Sequence, residues 1–144
     1  MSGKIFATPQ DAEAAFYEAL EHADLDAMMA VWAEDEEIVC VHPTGPRLAG
    51  LAAVRSSWER IFAGGPGARV RTSHRVEMTG MMVAVHSVHE NFLVPGAKPP
   101  TATVVVTNVY LRSASGWRMI VHHASPAPGT ATEAPRSEQP KILH

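Results

Sequence analysis

The chain has 144 residues, the usual size of one globular domain and too few for a second catalytic domain. Twelve Lys and Arg residues against fifteen Asp and Glu residues give a formal net charge of −3, so we expect no binding to nucleic acid and none to an anionic membrane. The single cysteine, Cys40, excludes an internal disulfide and a cysteine-based zinc finger. With neither a secretory signal nor a long apolar run in the sequence, we expect a cytoplasmic protein.

The first part of the chain has the spacing of amphipathic helices. Thr8 is a typical N-cap, and apolar residues then recur at three- and four-residue steps, which predicts a helix over about 9–22 with Glu13 on its polar side. A second helix is predicted to run to about Ala33, and a third follows Gly50. The third helix is predicted to have four apolar residues on one face: Val54, Trp58, Ile61 and Phe62.

The rest of the chain has the composition and period of β-strands. The β-branched run 37–42 predicts a first strand, which Pro43 ends. Four longer runs, 70–78, 81–94, 101–111 and 117–124, predict an antiparallel meander. Helices followed by a sheet indicate an α+β fold in which the helices cover one face of the sheet.

The segment 101–107 has apolar residues on both faces, although the helices can cover only one. We therefore expect a homodimer formed through the outer face of the sheet. The proline-rich tail has few large apolar residues, so residues 129–144 are predicted to form a flexible C-terminal extension.

The positions of the eight histidines point to a candidate site. His22, His74 and His144 fall on exposed faces or in the tail. His42 ends the first strand beside a proline turn, where a strand end can open onto a cavity, and the alternative is a hydrogen-bonded histidine at the rim of the core. The period of two predicts that three sets of residues on the later strands share one face, where they form a polar cluster among apolar neighbours. The sets are His86, Glu90 and Phe92, then Asn108 and Tyr110, then His122 with Ile120.

A carboxyl group among imidazoles can exchange protons near neutral pH, which makes this predicted cluster a candidate for acid–base chemistry. The alternative is a glutamate and a histidine that only satisfy each other inside the core. A metal site is disfavoured, because His122 and His123 point to opposite faces of one strand and cannot bind the same ion. The glycines at 64–67 lack the Lys-Ser/Thr of a phosphate loop, and the sequence predicts no cofactor and no metal.

The order helix, helix, strand, helix and long meander, with the segments Val39–Pro43 and Gly116–Pro126, resembles the nuclear transport factor 2-like superfamily. Within it the chain looks like the SnoaL-like subgroup related to the calcium/calmodulin-dependent kinase association domain. The resemblance implies a cone-fold domain over residues 1–128: a strongly curved antiparallel sheet wrapped around three N-terminal helices, with a deep pocket and dimerisation through the outer face. Members include isomerases, dehydratases, cyclases and association domains, so fold alone does not give function.

Two departures from these relatives limit what the resemblance implies. Association domains line their pocket with arginines, but the matching positions here look like Val88, Asn108 and Ala124, which removes the clamp for an anionic ligand. The chain has no aspartate after Asp35, so the aspartate-based isomerase mechanism does not carry over.

We therefore expect a protein that binds a mostly apolar small molecule and, if it is an enzyme, catalyses an isomerisation, dehydration or cyclisation without a cofactor. Glu90 is the predicted base, and His42 or His122 the predicted acid and polarising group. The predicted ligand-binding residues are Trp58, His86, Phe92, Asn108 and Tyr110. The alternative is an oligomeric association module without catalytic activity.

Overall fold

The structure, a computed structural model, describes residues 4–65, 67–98 and 101–128. Its helices are α1 (Pro9–His22), α2 (Leu25–Val31) and α3 (Leu51–Ala63). Its strands are β1 (Val39–Val41), β2 (Arg47–Ala49), β3 (Val70–Thr79), β4 (Val83–Leu93), β5 (Thr101–Ser113) and β6 (Gly116–Pro126). The three helices and one curved, unclosed sheet confirm the predicted α+β class. The predicted extension, with His144, lies outside the described residues.

Side-chain caps fix where the first two helices begin. The Thr8 hydroxyl accepts a hydrogen bond from the Asp11 amide at 3.0 Å, and α1 has the predicted bounds. The Asp24 carboxylate accepts one from the Ala27 amide at 3.0 Å and starts α2. The second helix ends at Val31, two residues before the predicted end, because the next two residues bridge to β6.

The sheet has the order β2-β1-β6-β5-β4-β3, and β3 to β6 form the predicted antiparallel meander. One further pair in the sheet is parallel, since β1 runs parallel to β6. The first strand is shorter than predicted, because the Asp35 carboxylate accepts a hydrogen bond from the Glu37 amide and holds this segment in a turn. The sequence did not predict β2, which has only three residues and is mostly exposed.

The helices pack against one side of the sheet, called here the inner face. On α3, Val54, Ser57 and Trp58 are buried, whereas Ile61, predicted to share a face with Val54 and Trp58, is 45% exposed. The helix turns Ser57 inward instead. A β-bulge leaves Ile120 unpaired, so His122 is in phase with buried Met119 rather than with Ile120 as predicted.

None of the helices within the described ranges is long and apolar enough to cross a membrane.

Candidate functional site

Neighbouring strands bring polar residues to the same level of the inner face. His86 on β4 pairs with Asn108 on β5, and Asn108 pairs with His122 on β6. Glu90 lies further along β4, on the same face. These four side chains are at most 3% exposed, which confirms their predicted inward orientation.

Helix α1 adds two residues that the sequence analysis did not include in the site. Glu13, predicted to lie on the polar side of α1, is 2% exposed, and its Oε2 accepts hydrogen bonds from Asn108 at 3.0 Å and from the Tyr110 hydroxyl at 2.9 Å. Tyr17, one helical turn later, also reaches this group. The pattern did contain a signal: Glu13 is spaced three, four and seven residues from Phe16, Tyr17 and Leu20, the spacing of one helix face.

The resulting group of side chains is called here the inner polar cluster. Its members come from α1 and three adjacent strands: Glu13, Tyr17, His86, Glu90, Asn108, Tyr110 and His122. Hydrogen bonds through the Asn108 amide join Glu13, Tyr17 and His122, so one side chain fixes the positions of three others. The cluster is therefore ordered before any ligand binds.

Glu90 is a carboxyl group of the cluster whose pKa departs from its ordinary value. The Tyr17 hydroxyl donates a hydrogen bond of 2.6 Å to its Oε2. Burial raises the pKa of Glu90 to about 7; the Tyr17 hydrogen bond opposes this rise, and the nearby Glu13 adds to it. Burial and then Glu90 raise the pKa of Tyr17, so the phenol stays protonated. Among the described residues nothing hydrogen-bonds to Oε1 of Glu90.

His122 is held as a neutral imidazole. Its Nδ1 lies 2.7 Å from Oδ1 of Asn108, and because that oxygen can only accept, Nδ1 carries the proton. Burial, followed by the neighbouring His42 and His123, lowers the pKa of His122 to about 3. Its Nε2 therefore has a free lone pair near neutral pH, which favours a role as an acceptor over the predicted role as an acid.

His42 lies apart from the inner polar cluster. Its Nε2 is 3.0 Å from the Ser57 hydroxyl, which itself donates to the Val54 carbonyl at 2.8 Å, so Nε2 is the donor. Burial and then Arg60 lower the pKa of His42. Trp58 connects the two parts of the site, with its ring 4.7 Å from that of His42 and 6.2 Å from that of His122.

A groove of about 270 Å³ between α1 and β3 reaches the cluster. It is lined by Gln10, Glu13, Ala14, Tyr17, Thr72, Arg75 and Glu77. Phe92 is partly buried and packs against the core, and Trp58 is buried. A deep pocket between those two rings stays a prediction, as do the assigned site roles.

The cluster combines the groups that general acid–base chemistry uses. A carboxyl group titrating near neutral pH can take or give a proton, and the hydrogen bond that it accepts from a protonated phenol stabilises its charged form. Water-poor surroundings strengthen each of these interactions.

Fold and site together define a SnoaL-like protein of the nuclear transport factor 2-like type. The family model of the SnoaL-like domain matches residues 10–129, and the chain belongs to this family. No functionally curated protein matches the sequence.

Solved structures show the same fold. A protein from Thiobacillus denitrificans, provisionally named a calcium/calmodulin-dependent protein kinase type II association domain, is 40% identical with a TM-score of 0.80, over 86% of this chain and 98% of that one. A provisionally named dehydratase of the NTF2-like family from Streptomyces avermitilis is 28% identical with a TM-score of 0.71, over 81% and 92%. A provisionally named ketosteroid isomerase from Parabacteroides distasonis is 20% identical with a TM-score of 0.68, over 83% and 88%, and shows the fold alone.

Proposed function

We propose that the protein is an enzyme that moves protons on a small molecule without a cofactor, in an isomerisation, dehydration or cyclisation. The observation that carries this proposal is the 2.6 Å hydrogen bond from Tyr17 to Glu90, a buried carboxyl group whose pKa is raised to about 7. A catalytic acid or base works best when its pKa lies near the operating pH. The name of the 28% identical dehydratase is consistent with this reaction class.

The roles follow from which atoms hold protons. Glu90 removes a proton from the substrate through Oε1 and returns it at another position or to a leaving group. Tyr17 and Asn108 keep Glu90 oriented, since Asn108 donates to the Tyr17 hydroxyl at 3.2 Å. His122 offers Nε2 as an acceptor for a substrate hydroxyl. His42, at the other side of Trp58, binds the far end of the substrate.

The proposed substrate is neutral and mostly apolar. The inner-face positions Val88, Asn108 and Ala124 are buried and carry no positive charge, so they offer no clamp for an anion. Trp58 and Phe92 supply apolar walls. His86 and Tyr110 shape the wall beside Asn108, because Tyr110 is fixed by Glu13 and the His86 ring lies 5.1 Å from the Tyr110 ring.

We further propose that two copies pair through the outer face of the sheet. An apolar row crosses that face at one level, through Met78, Val85, Val109 and Val121. Met78 is exposed and the three valines are half-buried. Sedimentation at micromolar concentration is expected to give a dimer, and Val109→Lys a monomer with unchanged secondary structure. A wild-type monomer would contradict this proposal.

A thermal-shift screen of neutral small metabolites tests the enzymatic proposal. A compound that raises the melting temperature of the wild type is expected to lose this effect with Glu90→Gln, while the matched variant Glu18→Gln, changed on the exposed side of α1, keeps it. Conversion of that compound, followed by NMR, is expected to stop with Glu90→Gln. Binding and conversion that are the same in both variants would contradict the role of Glu90. If no compound raises the melting temperature and the protein forms a stable large oligomer, the association module is favoured. The name of the 40% identical structure refers to such a module.

A further inference from the structure

A second group of potential ligand atoms lies at the edge of the inner polar cluster, on the side away from His122. It consists of one ring nitrogen of His86 and one carboxylate oxygen each of Glu13 and Glu77, and these atoms all lie within 4.8 Å of one another. Glu77 on β3 pairs directly with His86 on β4, so the sheet register fixes this arrangement. The groove between α1 and β3 reaches both carboxylates.

The unpaired ring nitrogens of the buried His86 point to a missing ligand. The residue is 0% exposed, and among the described residues neither of its ring nitrogens has a hydrogen-bond partner. A buried imidazole without a partner is rare, since nearly all buried polar groups are paired. Its Nδ1 lies within ion-pair distance of two carboxylates, 3.1 Å from Oε2 of Glu13 and 4.0 Å from Oε2 of Glu77, but neither contact has the geometry of a hydrogen bond.

The distances are close to those expected of atoms that face a common ion. Zinc ligands lie about 2.0–2.2 Å from the metal, so two neighbouring ligand atoms of a tetrahedral site are about 3.3–3.6 Å apart. The contact between His86 and Glu13, at 3.1 Å, is slightly shorter than this spacing. Glu77 must approach by roughly half an ångström to an ångström to match the range of ligand spacings. Its side chain is 25% exposed at the edge of the sheet, where such a movement is unhindered by core packing.

In this structure, Arg75 supplies the positive charge beside Glu13 and Glu77. It donates a hydrogen bond to Glu13, its Nη1 is 3.5 Å from Oε2 of Glu77, and its Nη2 donates to the Thr72 hydroxyl at 2.9 Å. The Arg75 side chain is 37% exposed and leaves the strand at the register shift between Ser73 and Val76. It can therefore turn into solvent without disturbing the core.

We propose that Glu13, Glu77 and His86 bind a first-row divalent metal ion of the Zn²⁺ type, and that Arg75 takes the place of this ion when it is absent. One imidazole and two carboxylates suit zinc, cobalt or manganese better than Mg²⁺ or Ca²⁺, which prefer all-oxygen sites. Two carboxylates neutralise a divalent charge. Three protein ligands leave a fourth position that opens to the groove.

Calorimetric titration with Zn²⁺, and the visible absorption of added Co²⁺, test the proposal on the whole chain. We expect one equivalent to bind, with no competition from a tenfold excess of Mg²⁺. Glu77→Gln and His86→Gln are expected to weaken binding at least tenfold, and Arg75→Ala to strengthen it, because this change removes the competing cation. Circular dichroism checks that each variant folds. If His86→Gln does not fold, Glu77→Gln still tests the site, because Glu77 lies at the sheet edge.

The control is the pair of stacked histidines His74 and His89, whose rings lie 4.5 Å apart and which could bind zinc adventitiously. The double variant His74→Gln/His89→Gln is expected to leave the high-affinity binding unchanged. Binding that is lost in this variant, that is unaffected by Glu77→Gln, or that weakens in Arg75→Ala would overturn the proposal. Glu90 is not a ligand, so Glu90→Gln should still bind metal, and the outcome is independent of the proposed reaction.

Discussion

The phenol of Tyr17 on α1 lies 2.6 Å from the carboxyl group of Glu90 on β4, and this hydrogen bond joins the helical layer to the sheet inside the protein. The two residues are 73 positions apart in the chain. Their contact gives the buried carboxyl group one fixed donor, and it leaves one oxygen of Glu90 without a partner among the described residues. A buried acid with this arrangement is what a proton-transfer enzyme requires.

Tyr17→Phe is expected to raise the pKa of Glu90 above its value of about 7. The hydroxyl stabilises the charged carboxylate, so its removal leaves burial and the charge of Glu13 less opposed. Difference infrared spectroscopy of the protonated carboxyl band measures the shift. Tyr110→Phe is the matched control, since the Tyr110 hydroxyl donates to Glu13 instead. An equal shift in both variants would show that the direct contact is not the cause.

Glu90→Gln is expected to change how stability depends on pH. The pKa of Glu90 is about 7 in the folded state, against an ordinary value of 4.5 for a glutamate in the unfolded chain, so the folded state holds this proton more tightly. The resulting stabilisation is complete below about pH 4.5 and is lost as the pH rises to about 7. The wild type loses this stabilisation as the pH rises, whereas the variant has no carboxyl group here and therefore loses nothing. The free energy of unfolding of the variant minus that of the wild type should therefore be more positive at about pH 7.5 than at about pH 4.5, by roughly 3 kcal/mol. Urea unfolding measures it, and a difference that does not vary with pH would count against a raised pKa.

Glu13→Ala is expected to lower the free energy of unfolding by about 3 kcal/mol, because it leaves buried donors of Asn108 and Tyr110 without their acceptor. Chemical denaturation measures the loss. Glu18→Ala, an exposed change on the same helix, should stay within about 0.5 kcal/mol of wild type. Equal effects at both positions would contradict the structural role of Glu13.

Gly116→Ala is expected to destabilise the turn between β5 and β6 by about 2 kcal/mol. Gly116 has φ 96°, and an added Cβ would lie 2.8 Å from the Phe6 carbonyl oxygen. The melting temperature should fall accordingly. Gly64→Ala is the control, since its φ is −80° and the nearest atom to an added Cβ is 3.5 Å away, an ordinary contact. A loss in the control as large as that at Gly116 would contradict this explanation.

The strand half of the site could be predicted from the sequence. Alternation along a strand is a local property, so the inward positions of His86, Glu90, Asn108 and His122 follow once the strands are recognised. Ile120 does not follow this alternation, because a single bulge changes which residues of β6 face inward. The bulge depends on pairing between strands, which the alternation of one strand does not reveal.

The helical half of the site could not be predicted in the same way. A glutamate on an amphipathic helix is normally placed toward solvent, and Glu13 can be buried because Arg75, Asn108 and Tyr110, all far away in the chain, donate to it. Strand alternation also could not show that His42 bonds to Ser57 on α3 rather than to the cluster. Contacts between layers decide both cases.

The proposed acid–base site depends on Glu90 being a buried acid whose pKa lies near neutral pH. An NMR titration of ¹³C-labelled glutamate carboxyl groups, with the Glu90 signal assigned from Glu90→Gln, measures it directly. We predict a midpoint near pH 7 for Glu90. A midpoint at the ordinary glutamate value of 4.5 would contradict the proposed acid–base site.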